Sequence, residues 1–372
     1  MINPVYFARK HALNMQGKRL KKKYIVFESD DWGSERIPDR KSLEFLQNNE
    51  FDIYSNPHNY LDSLETEDDL AALYDTLLKF RDRHGNYPVI TANSVTANPD
   101  FDKIRSSGFR EYHFEGTTET YSRKSECKHC SKLIHEGIAR NIYHPQFHGR
   151  EHLNTIQWLS ALISGDPILL KAFDAGIYCL DMESDRNPRS NFMASFDGTS
   201  MEAELEHEGN IRTGMQMFRD QFGYNSESFI APCYVWNSSL EPVLKNAGIQ
   251  YLQGLPIQYV PSVSDRYGKI YHFQGERNKS GQIYFVRNCF FEPSLNPKFN
   301  WIKDCLNRIR IIFFWGKPVI IGTHRINFIG TLDENNRRKN LNELAILLKA
   351  ILKSWPDVEF TTTDDLGKKY DN

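Results

Sequence analysis

Two adjacent aspartates, Asp30 and Asp31, follow a short apolar run of β-prone residues, Tyr24–Phe27. Gly33 predicts a turn directly after them, so the pair falls at the carboxyl end of a predicted strand. Neighbouring residues of a strand point to opposite faces, but the pleat breaks where a strand ends, and both carboxylates can then turn toward one pocket. In such a pocket one carboxylate could bind a metal ion while the other acts as a base.

A string of histidines follows a second apolar run, Ile138–Tyr143. Histidines recur at His144, His148 and His152, so the spacing H-x-x-x-H occurs twice and His148 belongs to both copies. This spacing puts two imidazoles on one face of a helix or turn, which suits Zn²⁺ or a similar ion when a carboxylate arrives from elsewhere. Two histidines and one aspartate would leave positions open for water and substrate.

A third polar cluster, Gly322–Arg325, contains His324 and follows the apolar run Lys317–Ile321. Each cluster alone has an ordinary structural explanation, since an acidic pair often caps a helix and a single histidine usually has no chemical role. Three polar clusters at three strand ends are harder to explain as surface. The carboxyl ends of the strands form the active face of an α/β barrel, so we expect the three clusters to meet there.

The composition allows a large core and argues against one class of partner. With 372 residues, 40% hydrophobic and 13% aromatic, the chain fits one elaborated α/β domain or two small ones. A formal charge of −2 implies no general attraction to nucleic acid. The basic stretch Lys18–Lys23 is predicted to be a solvated lead-in, with weak association with an anionic membrane surface as the alternative.

The chain shows no apolar segment of the length that a signal peptide or a membrane span needs, which predicts a cytoplasmic protein without a transmembrane segment. Its six cysteines should then stay reduced. Cys127 and Cys130 form a C-x-x-C with His129 and His135 nearby, but a structural zinc site would need a second pair of ligands. The remaining cysteines are interpreted as small buried or half-buried hydrophobic residues.

Apolar β-prone runs alternate with helical patterns along the chain, which predicts a mostly parallel sheet with helices outside, closed into a barrel. The predicted strands are Tyr24–Phe27, Pro88–Thr91, Ile138–Tyr143, Ser228–Ala231, Ile249–Leu252, Ile283–Val286, Pro318–Ile321 and Val358–Thr361. One helix is predicted after Thr66, with Leu70, Leu73, Leu77 and Phe80 on its buried face. Other buried stripes are Ile156, Leu159 and Ile163; Ile211, Met215 and Phe218; and Leu341, Leu344, Leu348, Ile351 and Leu352.

These motifs resemble the polysaccharide deacetylase family, the NodB-homology carbohydrate esterases, from about residue 24 to the end. Ser29–Gly33 is similar to the family's first motif, an aspartate pair after strand one, and the resemblance implies that Asp30 is the base and Asp31 a metal ligand. The family's H-x-x-x-H motif supplies the other two ligands. His148 and His152 match it better than the pair that begins at His144, because His-Gly-x-x-His before a helix start is closer to the family pattern.

Other family motifs are matched in part. Ile230–Tyr234 resembles an Arg-x-Pro-Tyr motif that lines the groove, although the arginine is missing. His324 resembles a late histidine of the family, and Trp355–Leu366 resembles its closing strand and helix. An Asp-x-x-Asp-Trp motif that orients the base has no counterpart, and Arg287 with Glu292 could supply that charge network instead.

The resemblance implies a distorted (β/α) barrel of about seven mostly parallel strands, with residues 1–23 as a lead-in and 24–372 as one domain. The long connections 35–87, 110–136 and 181–226 are predicted to be loop insertions over the active face, where substrate selectivity would be built.

The implied activity is metal-dependent removal of N-acetyl, or O-acetyl, groups from an amino-sugar-containing polysaccharide, oligosaccharide or precursor. One divalent ion would serve, most readily Zn²⁺, with Co²⁺, Ni²⁺ or Mn²⁺ as alternatives. A backbone N–H near Tyr234 would help to stabilise the oxyanion, and His324 would protonate the departing amine. Trp32, Tyr234 and Trp236 are candidates for stacking on sugar faces, with core packing as the equal alternative.

Two other functions stay open on the sequence. A glycoside hydrolase on a similar barrel would place two carboxylates on either side of the scissile bond and would not need three histidines beside an aspartate pair. A sugar-binding protein without catalysis would keep an aromatic groove beside a defective metal site. The oligomeric state and the identity of the sugar do not follow from the sequence.

Overall fold

A computed structural model describes residues 4–49, 51–180, 191–264 and 266–370. Its strands are β1 (Tyr24–Trp32), β2 (Ile90–Ser94), β3 (Ala97–Pro99), β4 (Phe114–Gly116), β5 (Tyr143–Phe147), β6 (Ser228–Ile230), β7 (Tyr251–Gly254), β8 (Ile257–Val260), β9 (Gly268–Tyr271), β10 (Ile283–Val286), β11 (Cys289–Phe290), β12 (Val319–His324) and β13 (Glu359–Phe360). Its α-helices are α1 (Pro4–Met15), α2 (Arg40–Asn48), α3 (His58–Leu61), α4 (Glu67–Leu77), α5 (Phe101–Ser106), α6 (Thr117–Arg123), α7 (Cys130–Ala139), α8 (Thr155–Ile163), α9 (Pro167–Asp174), α10 (Met201–Phe222), α11 (Glu241–Asn246), α12 (Trp301–Phe314), α13 (Glu334–Ser354) and α14 (Thr363–Lys368).

The main sheet is parallel and its strand order is β10-β7-β6-β5-β2-β1-β12-β11, with β13 also paired to β1. The two ends of this order are joined by the chain itself, because β10 pairs with β7 and, two residues after it ends, β11 pairs with β12. Across the junction the Arg287 N–H donates to Gly254 O at 2.8 Å and the Phe291 N–H to Gly322 O at 3.0 Å. Counting 283–290 as one strand, seven parallel strands close a distorted barrel, which confirms the predicted fold class.

Alternation along β1 separates the outside of the barrel from its inside. Ile25 and Phe27 pack in the main core beneath the outer helices, whereas Val26 packs in a separate cluster with Ile320 and with Leu366 of α14. Because strand side chains alternate between faces, Glu28 and Asp30 continue the inner row that begins with Val26. The helix α14 therefore covers one end of the barrel, and Asp30 stands at the other.

The prediction of a strand over Ile138–Tyr143 was wrong for all of these residues except Tyr143. Ile138 belongs to the end of α7, and the strand β5 begins at Tyr143. The helix is stopped by Asn141, which adopts a left-handed conformation with φ of 53°, and asparagine tolerates that conformation better than most residues. As a result His144 lies inside a strand and not in a turn after one.

The helix after Thr66 forms as predicted. The Thr66 hydroxyl accepts from the Asp69 N–H and the Asp69 carboxylate accepts from the Thr66 N–H, which is a capping box. The helix ends at Leu77, so Phe80 lies beyond it. The prediction of a buried Ile163 was wrong: this side chain ends α8 and is 59% exposed.

The segment predicted as a lead-in carries α1, and α1 is docked on the barrel. Trp315 Nε1 donates to His11 Nδ1 at 3.0 Å, and the Lys18 N–H donates to Gln274 O at 2.7 Å. Lys22 lies 2.9 Å from the Glu359 carboxylate. The basic stretch is therefore in part engaged with the body of the protein.

The three long connections contain helices and are not only loops. Residues 35–87 carry α2, α3 and α4, residues 110–136 carry α6 and most of α7, and residues 191–226 carry α10, while 181–190 lie outside the described residues. Phe218 of α10 packs edge-on against Phe147 of β5 with ring centroids 6.5 Å apart. Within the described ranges, no helix is both long and apolar enough to cross a bilayer.

Candidate metal centre

The strand β1 carries an irregularity at the aspartate pair. Its pairing with β2 runs from Ser29 opposite Ala92 to Trp32 opposite Ser94, so β1 has one residue more than β2 over this stretch. Asp31 has a φ of 75°, a left-handed conformation that is rare outside glycine. A bulge of this kind redirects a side chain, and Asp31 lines the same cavity as Asp30. The expectation that both carboxylates can face one pocket is confirmed.

Asp31, His148 and His152 form a buried group of three metal-ligand atoms. The Nε2 atoms of both histidines lie 3.4 Å from Asp31 Oδ1. Two ligands that are each about 2.1 Å from a tetrahedral ion lie about 3.4 Å apart, so this spacing fits a small divalent cation. The group matches the predicted ligand set.

The tautomer of His148 also fits a metal ligand. Its Nδ1 lies 2.9 Å from Ile230 O, and because a carbonyl only accepts, Nδ1 carries a proton, which leaves Nε2 as the nitrogen that could bind a metal ion. That Nε2 is buried without a hydrogen-bond partner. An orphaned buried nitrogen costs free energy, and a bound cation would remove the cost.

The charge states at the group suit cation binding. Burial by itself would raise the pKa of Asp31, but its close contacts with the imidazoles of His148 and His152 and the charge of His324 hold that pKa well below its usual value. Burial lowers the pKa of His152 to about 3, against the opposing effect of Asp31. Near neutral pH the group therefore offers one carboxylate and a neutral imidazole at His152.

Asp30 is held differently from its neighbour. Arg287 Nη1 and Nη2 donate to its two carboxylate oxygens at 2.6 Å each, and Asn93 Nδ2 donates to Oδ1 at 2.7 Å. Burial alone would raise the pKa of Asp30, but the charge and hydrogen bonds of Arg287, together with the charges of His148 and His324, lower it to about 2. Asp30 is therefore ionised over the whole neutral range.

Arg287 reaches Asp30 because Gly322 leaves room for it. A Cβ at Gly322 would lie 2.8 Å from Arg287 Cδ, closer than side chains tolerate. The guanidinium is fully buried and also donates from Nε to Glu28 Oε2 at 2.8 Å. Arg287 thus links two carboxylates of the inner row of β1 and does not line the pocket.

His324 ends β12 directly beside Asp30 in the register of the sheet. Its Nδ1 lies 2.7 Å from Glu292 Oε1, and its Nε2 lies 3.8 Å from Asp30 Oδ2. Burial by itself would lower the pKa of His324, but Glu292 and the charges of Asp31 and Asp30 raise it to about 10. His324 is therefore protonated at neutral pH in the metal-free protein.

The third motif contributes one wall of the cavity. Cys233 and Tyr234 both have positive φ, 55° and 60°, and both line the cavity. The Tyr234 hydroxyl lies 3.3 Å from Arg287 Nη1. The Tyr234 N–H donates to Ala231 O at 2.9 Å, and the Val235 N–H donates to Pro232 O at 3.2 Å. These two N–H groups are therefore already used and do not match the oxyanion donor that the sequence predicted near Tyr234.

Three residues that were predicted at the site, His144, Trp32 and Trp236, do not line the pocket. His148 comes four positions after His144 along an extended segment, about 13 Å away. His144 lies 3.0 Å from Asp364 of α14 and stacks on Tyr224, at the opposite end of the barrel. It also lines a separate cavity of about 780 Å³ there, larger than the one of about 230 Å³ at the candidate metal centre. The prediction of His144 as a ligand was wrong because i,i+4 residues are neighbours in a helix or turn but lie about 13 Å apart along a strand.

The two tryptophans are core residues. Trp32 is 1% exposed, donates from Nε1 to Ser29 Oγ at 2.9 Å and packs edge-on against Tyr143. Trp236 is 4% exposed and stacks on His272. Neither lines the pocket, so the sugar-stacking alternative for both is wrong and the core-packing alternative is right. Their large apolar surface favours burial in the core, although both lie in the motifs that predicted the site.

Some pocket residues had not been identified from the sequence. Arg36 and His58, both from the connection 35–87, line the cavity, and Asn93 of β2 hydrogen-bonds Asp30. His58 and Asp62 have the spacing i,i+4, which could have signalled an interacting pair. Asp31, His58 and Asp62 form a second group whose ligand atoms lie within 4.8 Å of one another.

The C-x-x-C pair has no further metal ligands among the described residues. Cys127 and Cys130 are buried, and their thiols donate to Glu65 O at 3.4 and 3.6 Å. His129 is exposed and contacts Glu67. The weak candidate zinc site is therefore better described as two buried thiols.

No family model matches the chain, and no curated protein matches it. Solved structures are similar to it at low identity. A putative polysaccharide deacetylase from Mycobacterium smegmatis is 12% identical with a TM-score of 0.42, covering 96% of this chain and 93% of that one. A probable polysaccharide deacetylase from Pseudomonas aeruginosa PAO1 is 7% identical with a TM-score of 0.46, covering 93% and 90%.

A 4-alpha-glucanotransferase from Thermococcus litoralis is 10% identical with a TM-score of 0.46, and the match covers 93% of this chain and 40% of that one. The chain thus spans well under half the length of that enzyme. Two of these similar structures are polysaccharide deacetylases, the family that the sequence motifs resemble. Identities this low and TM-scores below 0.5 say nothing about activity.

Proposed function

We propose that the protein is a metal-dependent hydrolase that removes acetyl groups from an amino-sugar-containing saccharide. One observation carries the proposal: three convergent ligand atoms, on Asp31, His148 and His152, lie beside an ionised carboxylate and a protonated imidazole. A divalent ion held by these ligands, most readily Zn²⁺, would lower the pKa of a bound water toward about 7 and polarise the acyl carbonyl.

Asp30 is the proposed proton acceptor. Its Oδ2 accepts one hydrogen bond, from Arg287, and the residue lines the cavity. A carboxylate with a pKa of about 2 is a weak base, so it can accept a proton only from a water that has itself become acidic. Arg287 keeps the carboxylate charged and fixes its orientation, and for this reason it acts as a positioning residue.

His324 is the proposed proton donor. Glu292 orients the ring through Nδ1, which leaves the Nε2 proton for the departing amine. An amine must be protonated as it leaves, whereas an alcohol leaves more easily without help. The Tyr234 hydroxyl, close to Arg287, is available to donate to the oxyanion in place of a backbone N–H.

The geometry disfavours both alternative functions. A glycoside hydrolase needs two carboxylates free to flank an anomeric carbon, but Asp30 is paired with Arg287 and Glu292 with His324. A non-catalytic sugar-binding protein would need an aromatic groove, and Trp32 and Trp236 are buried.

The test is to incubate the metal-loaded protein with N-acetylated and O-acetylated hexosamine oligosaccharides and with nucleotide sugars, and to measure acetate and chain length. We expect acetate and a free amino sugar with intact glycosidic bonds. Shortened chains without acetate would indicate a glycosidase, and sugar binding without either product would indicate a binding protein.

A further inference from the structure

The pocket is lined by a fourth imidazole, that of His58, which the chemistry above does not use. His58 starts α3 and lines the same cavity as Asp31 and His324. Its ring lies edge-on to that of His324 with centroids 5.7 Å apart. Its side chain is 13% exposed, so it is enclosed but reachable from the cavity.

A carboxylate orients His58 in the way that Glu292 orients His324. His58 Nδ1 lies 2.9 Å from Asp62 Oδ2, and Arg325 Nη2 donates to Asp62 Oδ1 at 2.7 Å. Asp62 and Arg325 are fully buried, which fixes this chain of contacts. The contact with Asp62 uses Nδ1, and Nε2 has no hydrogen-bond partner among the described residues.

A second metal ion is the first alternative, because Asp31, His58 and Asp62 offer ligand atoms near one another. Two contacts argue against it. Asp62 already accepts from Arg325 and contacts His58 Nδ1, so its oxygens are engaged. A further dication would also lie beside the buried guanidinium of Arg325, where like charges repel.

We infer that His58 Nε2 accepts a hydrogen bond from a substrate hydroxyl on the ring carbon next to the acetamido group. The inference rests on the proposed function and narrows its substrate class to saccharides with a free hydroxyl at that position. A ring nitrogen of His58 lies within 4.8 Å of a carboxylate oxygen of Asp31, so a substrate group that contacts His58 would lie close to an acetyl group held at the metal ligands. An acceptor aimed at a hydroxyl discriminates against analogues that lack it.

The experiment compares N-acetylglucosamine oligosaccharides with their 3-deoxy counterparts. For the wild type we expect kcat/KM to be about 10- to 100-fold higher with the hydroxyl present. His58→Ala should lose this preference mainly through a higher KM, His58→Gln should keep part of it, and both should bind as much metal as the wild type. His129→Ala, an exposed histidine outside the pocket, is the matched control and should behave as the wild type.

A His58→Ala protein that keeps the wild-type preference would overturn the inference. The inference would also be overturned if the wild type binds two ions per chain and His58→Ala binds one. If the wild type releases no acetate from either probe, the proposed function fails separately. Calorimetric binding of both probes then decides the inference: a preference for the hydroxyl that disappears in His58→Ala supports the contact, and equal affinities overturn it.

Discussion

The guanidinium of Arg287 donates to both carboxylate oxygens of Asp30 at 2.6 Å. Asp31, the next residue, has no such partner and lies 3.4 Å from two imidazole nitrogens. Two adjacent side chains of the same type therefore have different chemical environments. A fixed cation neutralises the first carboxylate, and the second could bind a metal ion.

Removal of the ligands should remove the metal. We expect the wild type to bind one divalent ion per chain, and Asp31→Asn, His148→Ala and His152→Ala to bind little, as measured by elemental analysis after dialysis. His144→Ala is the matched control, since His144 lies at the other end of the barrel, and it should retain the ion. Equal metal in Asp31→Asn and the wild type would remove Asp31 from the ligand set.

Asp30→Asn should abolish turnover and keep the metal. The amide has the size of the carboxylate but cannot accept the proton, so kcat should fall on the order of 10²- to 10⁴-fold. Steady-state acetate release together with metal content measures both effects. Activity within a few-fold of the wild type would exclude Asp30 as the base.

The Arg287–Asp30 pair should make stability depend on acid pH. The pKa of Asp30 is lowered from its ordinary value to about 2, so its stabilising contribution is present above about pH 4 and is lost as the pH falls through about 2. Arg287→Met leaves buried carboxylates unpaired and should cost about 3–5 kcal/mol near neutral pH, and less at low pH. Denaturant unfolding at several pH values tests this, and a pH-independent loss would contradict it.

Glu292→Gln should shift the alkaline limb of the pH–rate profile to lower pH. Glu292 raises the pKa of His324, and loss of its charge should lower that pKa by about 1–3 units. His324 also stabilises the wild type fully below about pH 6.5, a contribution that is lost as the pH rises through about 10.

His324→Ala should lose more activity on an N-acetyl substrate than on an O-acetyl one, because only the amine needs the proton. Equal losses on the two substrates would assign His324 to structure or binding.

Gly322→Ala should disturb the active face from the middle of a strand. The added Cβ would lie 2.8 Å from Arg287 Cδ, so the arginine must move, at a cost of about 1–3 kcal/mol in stability and with a loss of kcat. Gly209→Ala is the control, because a Cβ there meets nothing within 4 Å and alanine favours the helix α10 by up to about 1 kcal/mol. A Gly322→Ala protein as stable and active as the wild type would contradict the role of this close approach.

The sequence determined the features that depend on local order. The alternation of apolar runs and helical patterns predicted a parallel barrel with outer helices, and the strand order and register bear this out. The aspartate pair, His148 and His152 could be identified because each lies at the carboxyl end of a strand or within a few residues after it. Their meeting then follows from the parallel direction of the strands, which brings all the carboxyl ends to one face.

The tertiary structure decided the features that depend on contacts between residues distant in the sequence. The left-handed Asn141 stops the preceding helix, and β5 then begins at Tyr143. His144 therefore lies near the start of this strand, far from the pocket, whereas His152 lies beyond its end. The orientation of Asp31 required the bulge against β2, and the pairing of Asp30 with Arg287 joined residues 257 positions apart. His58 entered the pocket from a long connection through contacts with Asp62 and Arg325. No local pattern encodes such partners, because burial and charge pairing are settled only when distant segments pack together.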